Sequence, residues 1–171
     1  FNYSLPDYVT VRVGTLGIYD IQYTETQGEN CYDSDYLGQS ADVSGIVTSF
    51  GDYGSNSGFG IQDINLNEWG GVWTRIEEDE IDNILSQLNL YDEILFTAEI
   101  NEYWGKTELV NFDIESLQIL SEENAVNPVE LSTSNLQYEC NLESEKFEGM
   151  LVKFSNVTIE EIDQWNGHYI R

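Results

Sequence analysis

The run from Glu93 to Leu120 sets the tightest limit on what this chain can fold into. In "EILFTAEINEYW" the apolar residues Ile94, Phe96, Ala98 and Ile100 fall at every second position, and in "TELVNFDIESLQIL" Val110, Phe112 and Ile114 do the same. A period of two sends alternate side chains to opposite faces of a strand, so each run presents one face to a core. The two-residue Gly105-Lys106 link between them permits a tight hairpin. It sets Tyr103 and Trp104 beside Lys106, one of six basic residues in the chain.

The rest of the chain supplies partners for that hairpin. Residues 8–23 alternate in a strand-like way, with Val9, Val11 and Val13 on one face. "DVSGIVTSF" (42–50), "FGIQDI" (59–64) and "VWTRI" (72–76) read as three more strands, separated by the turn clusters "GDYGSNSG" and "NLNEWGG". The period then changes: Ile81, Ile84, Leu85 and Leu88 recur at helical spacing, which predicts a short helix near 78–89. Glu77 to Glu80 crowd its first turn, where carboxylates oppose the helix dipole, and Asn89 suits a left-handed stop. Three strands, a helix and two strands is the element order of the OB-fold. The expected fold is therefore all-β, mainly strand with one short helix: an OB-fold-like Greek-key barrel with extended terminal strands. Its divisions are a strand-like extension over 1–30, the barrel core over 31–125, and C-terminal strands over 126–171. The last stretch is either the start of a second OB module or an assembly strand.

A chain of 171 residues is one domain, or one plus part of another, and buries roughly 70% of its unfolded surface. It therefore needs no metal or disulfide lattice to own a core. The charge balance is extreme: 32 acidic residues against six basic give a formal net of −26. Such a field repels phosphate backbones and anionic lipid, which argues against direct nucleic-acid binding. No apolar run is long enough to span a bilayer. Cys31 and Cys140 lie far apart with no CxxC, and with one histidine they make a poor zinc set. A single disulfide fits them better; it would contribute about 4–5 kcal/mol in the chain-entropy view and suit a secreted, extracellular or cell-surface location. The chain opens on Phe1, as a mature or trimmed product would, and Asn2 and Asn156 head glycosylation sequons.

Five phrases carry a resemblance: "IYDIQYT" (18–24), "YLGQSADVSGIVTSF" (36–50), "GFGIQD" (58–63), "EINEYWGKTELVNF" (99–112) and "EKFEGMLVKFSNVTI" (145–159). In order and register they resemble the OB-fold modules attached to secreted bacterial nucleases of the ExeM and YhcR type. The resemblance implies an OB-fold accessory module, with "FEGMLVKF" opening a next module. The nuclease chemistry of that family lies in a separate domain built on His, Asp, Asn and Glu around a metal, which His168 alone could not imitate. Gly45 suits the bend that small barrels need, and Gln62 and Asp63 are placed to bond loop backbone.

No nucleophile–base pair, phosphate loop or dinucleotide fingerprint is present, so the chain is expected not to be an enzyme and to require no cofactor. Asp63, Asn65 and Asn67 have the oxygen spacing that begins a calcium loop but lack the glycine and terminal glutamate of an EF-hand. An irregular calcium site there, helped by Asp33, Asp35 or Asp52, is an expectation. Trp69, Trp73, Tyr103 and Trp104 are the ligand-binding candidates, as a platform for sugar rings or an anchor for a protein. The functional reading is a non-catalytic binding or structural module that meets protein neighbours, as a homo-oligomer or fibre, through strand pairing of residues 1–15 and 156–171. Two further readings stay open: an accessory domain of an extracellular nuclease, and a carbohydrate-binding module for an extracellular glycan.

Overall fold

A computed structural model describes residues 12–29, 31–51, 57–77, 80–136, 140–158, 162–163 and 169–170. Asn2, Asp52, His168 and the strand faces expected before residue 12 lie outside them. The main sheet holds β1 (Arg12–Leu16), β2 (Ser40–Gly51), β3 (Gly58–Gln62), β4 (Gly71–Arg75), β5 (Glu93–Glu102) and β6 (Thr107–Ser121). Helix α1 (Ile18–Gln22) follows β1, and α2 (Ile81–Leu85) joins β4 to β5. The segment after β6 contains β7 (Val129–Leu131), a 3-10 turn (Thr133–Leu136), α3 (Leu142–Glu145), β8 (Val152–Phe154), β9 (Ile162–Asp163) and β10 (Tyr169–Ile170). No helix among the described residues is long and apolar enough to cross a membrane.

From β2 to β6 the expected order of three strands, helix and two strands is present, so the domain is OB-fold-like. The all-β Greek-key barrel with one helix and extended terminal strands is corrected. The sheet is six-stranded and mixed, in the order β1-β2-β3-β4-β6-β5. Strand β1 joins it as a parallel partner of β2, with no second partner among the described residues, and the parallel seam between β4 and β6 holds two register pairs. β5 also pairs with β2, from Ser40↔Glu99 to Ile46↔Glu93, so the sheet coils without becoming a simple five-stranded barrel. Among the described residues three short α-helices stand in place of the single one, and the terminal strands are short.

The alternation on β5 is realised in full. Ile94, Phe96, Ala98 and Ile100 are buried, and Phe96 meets Phe59 of β3 and Phe112 of β6 at ring separations of 5.7 and 4.9 Å. β6 departs from strict alternation. Asn111 takes φ 51 where the register with β5 shifts, a bulge that lets both Leu109 and Phe112 reach the core. The strand expected over residues 8–23 ends at Leu16. The Gly17 N–H donates to Asp20 Oδ2 at 3.1 Å and turns the chain into α1, whose Ile18 and Ile21 are buried. Gly45 marks no bulge; a side chain there would meet Ile18 Cδ1 and Ile61, so the glycine admits α1 to the core. Helix α2 is shorter than expected, and Asn89 does not make the left-handed stop. Its N–H donates to Asp92 Oδ2 at 2.8 Å, and Tyr91 takes the positive φ of 74°.

The segment around α3 is fastened to the sheet at several points. Cys31 and Cys140 form a disulfide across 109 residues, the Trp69 N–H donates to the Lys146 carbonyl at 2.6 Å, and the Leu151 N–H donates to Gln62 Oε1 at 2.8 Å. Gly149, at φ 65°, crosses Gly71 so closely that a Cβ on either would overlap the other's backbone. Gln62 thus does bond loop backbone, as its position at a strand end suggested. Between segment and sheet sit Asp33, Glu102, Glu145 and Glu148. The Thr107 N–H donates to Glu148 Oε1 at 2.8 Å, and the Ser34 N–H and Thr107 hydroxyl donate to Glu102 Oε1 at 2.9 and 2.5 Å. Burial, with the charges of Glu102 and Asp33 adding, pushes Glu145 up to about 7. Burial, with Glu145 and Glu102 adding, pushes Glu148 up to about 8.

Both carboxyls bind protons more tightly folded than unfolded, so the sign follows directly. Stability is fullest below the ordinary value of 4.5 and falls as pH rises through 7 and 8. Denaturant midpoints at pH 5 and pH 8.5 are expected to show this fall, and Glu145→Gln with Glu148→Gln is expected to flatten it.

Candidate functional site

The outward face of the sheet carries a row of residues set by strand register. Ser49 pairs with Gly60, Gly60 with Trp73, Trp73 with Glu108, and Glu108 with Asn101, crossing β2, β3, β4, β6 and β5. Paired residues share a face, so these side chains lie side by side. A Cβ on Gly60 would lie 2.7 Å from Ser49 Oγ, so the bare glycine leaves room for that hydroxyl, and it would only touch Trp73 Cε3 at an ordinary 3.8 Å.

Glu108 is the centre of the row and is fully buried. Its Oε1 accepts from Arg75 Nε at 3.1 Å and from Asn101 Nδ2 at 3.3 Å. Lys106 Nζ lies 3.1 Å from Oε2 as an ion pair, at an angle too poor for a hydrogen bond. The same ammonium stands 5.9 Å from the centre of the Trp73 ring, within cation–π range. Two of the chain's six basic side chains are therefore committed to one carboxylate. Sequence reading missed this group: Arg75 and Glu108 are 33 residues apart, and nothing in either strand announces the parallel register that joins them.

At the end of the face the β5–β6 hairpin closes one residue earlier than its sequence suggests. Tyr103 and Lys106 exchange backbone bonds of 2.9 and 3.2 Å, so the central pair is Trp104-Gly105, not Gly105-Lys106. Both central residues have positive φ, 56° and 77°, the signature of a type I′ turn. Asparagine or glycine favours that first position; a tryptophan there costs about 1–2 kcal/mol of backbone strain. Its side chain is 90% exposed, and Tyr103 beside it is 47% exposed.

Of the four aromatic candidates, Trp73, Tyr103 and Trp104 belong to this face and its tip, with Lys106 joining them. Trp69 does not: it is buried, packs edge-on against Tyr23 at 5.6 Å, and Tyr23 in turn stacks on Tyr19 at 5.0 Å. Asp63 and Asn65 meet, but on each other: Asp63 Oδ1 accepts from the Asn65 backbone and side-chain amides, both at 2.9 Å, while Asn67 is exposed. Among the described residues no group of three or more His, Cys, Asp and Glu side chains is arranged to hold a metal ion. Asn156 lies just past β8, exposed together with Val157 and Thr158. An open cavity of about 320 Å³ lies elsewhere, lined by polar groups that include Ser44, Gln62, Asp63, Glu93 and Asn124. None of the candidate aromatics lines it.

No protein-family model matches the chain, and no curated protein matches it. Solved structures with a similar fold include an OBody bound to hen egg-white lysozyme, at 19% identity and TM-score 0.46 over 63% of this chain and 94% of that one. A second is the Stn1–Ten1 complex of S. pombe, at 10% identity and TM-score 0.46 over 64% and 79%. A third is a mitochondrial single-stranded DNA binding protein from S. cerevisiae, at 13% identity and TM-score 0.40 over 51% and 98%. No residue role follows from likenesses this distant. The exclusion of nucleic-acid partners drawn from composition is corrected on the local geometry of this face. Net charge describes the whole surface, whereas recognition is local, and on this face Arg75 and Lys106 stand beside Trp73.

Two outcomes test this geometry. Trp104→Asn is expected to raise stability by about 0.5–1 kcal/mol in a thermal melt, because it relieves the turn and removes no packing. Arg75→Met is expected to cost about 3 kcal/mol, since it removes the hydrogen-bonded cation from a buried carboxylate and leaves it Lys106 and Asn101, whereas Glu108→Gln, which keeps an acceptor for Arg75 and Asn101, costs less.

Proposed function

We propose that the chain is a non-catalytic binding module of a secreted or cell-surface protein, whose β5–β6 hairpin tip enters a pocket on a partner protein. The observation that carries this is Trp104. A large ring held almost fully in water, on a turn that disfavours it, lowers the stability of the free module and is accounted for by burial in a complex. The tip is convex, whereas pockets for small molecules are concave. Trp104 is therefore the inserted group, and the partner supplies the pocket. The disulfide supports an oxidising location. The ordered phrases shared with secreted-nuclease modules support a place beside a nuclease domain in a longer protein.

The test is a binding measurement against envelope and secreted proteins of the producing cell. Trp104→Ala is expected to weaken binding by about 30-fold while leaving the fold intact. Undiminished binding in that variant overturns the proposal. So does binding of a glycan or a single-stranded oligonucleotide that is lost in Trp73→Ala and retained in Trp104→Ala, because it would move the site onto the sheet face.

A further inference from the structure

The covalent tie between the α3 segment and the sheet is lopsided. Cys31 is 4% exposed, whereas its partner Cys140, just before α3, is exposed. The charges gathered beside Cys31 are of one sign. Glu145 Oε2 lies 3.7 Å from Cys31 Sγ. Asp33 from the loop before β2, Glu102 from β5 and Glu148 from the turn after α3 all face that carboxyl. It shares a hydrogen bond with Glu148, which requires a proton on one of the two. Lys146, the next residue, turns elsewhere: its Nζ lies 3.0 Å from Glu143 and 4.0 Å from Glu68.

Thiol–disulfide exchange is an attack by a thiolate on one sulfur while the other departs, so access and the departing group's affinity for a proton set its direction. An attack on Cys31 would bring an anion to a buried residue past several carboxyls. An attack on Cys140 comes from solvent. Cys31 is then the departing sulfur, and it departs into a cluster of acids, where a bare thiolate is strongly disfavoured. Glu145 answers that difficulty. Burial and its acidic neighbours push it up to about 7, so it still carries a proton in mildly acidic and neutral solution. It is half-buried, so solvent can restore the proton once it is spent.

We propose that Cys140 is the point at which an external thiol opens this bond, with Glu145 as the proton donor to Cys31. The incoming thiolate forms a bond to Cys140 Sγ, the sulfur–sulfur bond breaks, and its electron pair passes to Cys31 Sγ. Cys31 takes the Glu145 proton and becomes a thiol, leaving Glu145 as a carboxylate. A second external thiolate then attacks the first one's sulfur in the mixed disulfide. The two external thiols end as a disulfide, and Cys140 leaves as a thiolate that takes its proton from water. The α3 segment loses its covalent hold and gains a negative charge beside Glu102 and Glu148. This chemistry is independent of what the hairpin tip binds, so the two readings stand or fall separately.

The test uses the whole oxidised chain and glutathione as the thiol. After brief exposure, quenching and alkylation, peptide mass spectrometry is expected to find glutathione on Cys140 and the alkyl label on Cys31, about tenfold over the reverse. Exchange rates divided by the thiolate fraction of glutathione are expected to fall about tenfold from pH 6 to pH 8, as Glu145 loses its proton. A segment that merely loosens as its carboxyls ionise would give the opposite trend. Glu145→Gln, which keeps the shape but has no proton to give, is expected to slow exchange at pH 6 and to remove the fall. The proposal is overturned if glutathione is found on Cys31 or equally on both cysteines. It is overturned too if the corrected rate stays flat or rises over that range in the unaltered chain, or if Glu145→Gln keeps the fall.

Discussion

The fold depends on one strand being shared by two neighbours. β5 pairs with β2 along one edge and with β6 along the other, while its inward residues Ile94, Phe96, Ala98 and Ile100 are almost wholly buried. Because the side-chain period is two, a slip of one residue in either ladder would turn this whole set toward water. The two registers therefore hold each other in place. Everything described on the outer face inherits its position from them: Asn101 meets Glu108 only because Ile100 meets Leu109 inside. The ion-paired row and the hairpin tip are the outward consequence of an inward packing requirement.

What sequence made legible followed the strength of local pattern. β5 alternates without a break and was readable in full. Buried Ile81, Ile84 and Leu88 made α2 visible, though not its length. Helix α1 was hidden because the alternating run before it continues into Gly17-Ile18-Tyr19-Asp20. The signal that could have found it is the Asp20 carboxylate three residues after Gly17, set between Ile18 and Ile21. The aromatic candidates divided for a similar reason. Trp69 and Trp104 are equally conspicuous as letters, and both take a positive φ. Only packing by Tyr23 and a bond to Lys146 make one of them interior.

Charge misled in an instructive way. A net of −26 is a property of the whole surface, yet the structure gathers Arg75 and Lys106 on one face and presses Glu145 and Glu148 together under a strap. Buried Glu108 is met by two cations, whereas Glu145 and Glu148 sit among other acids and are pushed up to about 7 and 8. The same residue type thus plays opposite electrostatic roles at two places on one domain. Composition cannot separate them, because the difference lies in which strands lie adjacent.

The disulfide between Cys31 and Cys140 has a mechanical meaning. If the chain is pulled from both ends, as a module in a surface protein or a fibre would be, the covalent loop of 109 residues lies outside the line of force. β2 to β6, most of the inner core and the hairpin tip fall within that loop. Only the residues before Cys31 and after Cys140 can lengthen, by at most roughly 3.5 Å each. The hairpin end would keep its shape under a load that had already drawn out β1, α1, α3 and β8. In an oxidising environment the bond is therefore a force fuse with a fixed limit of extension.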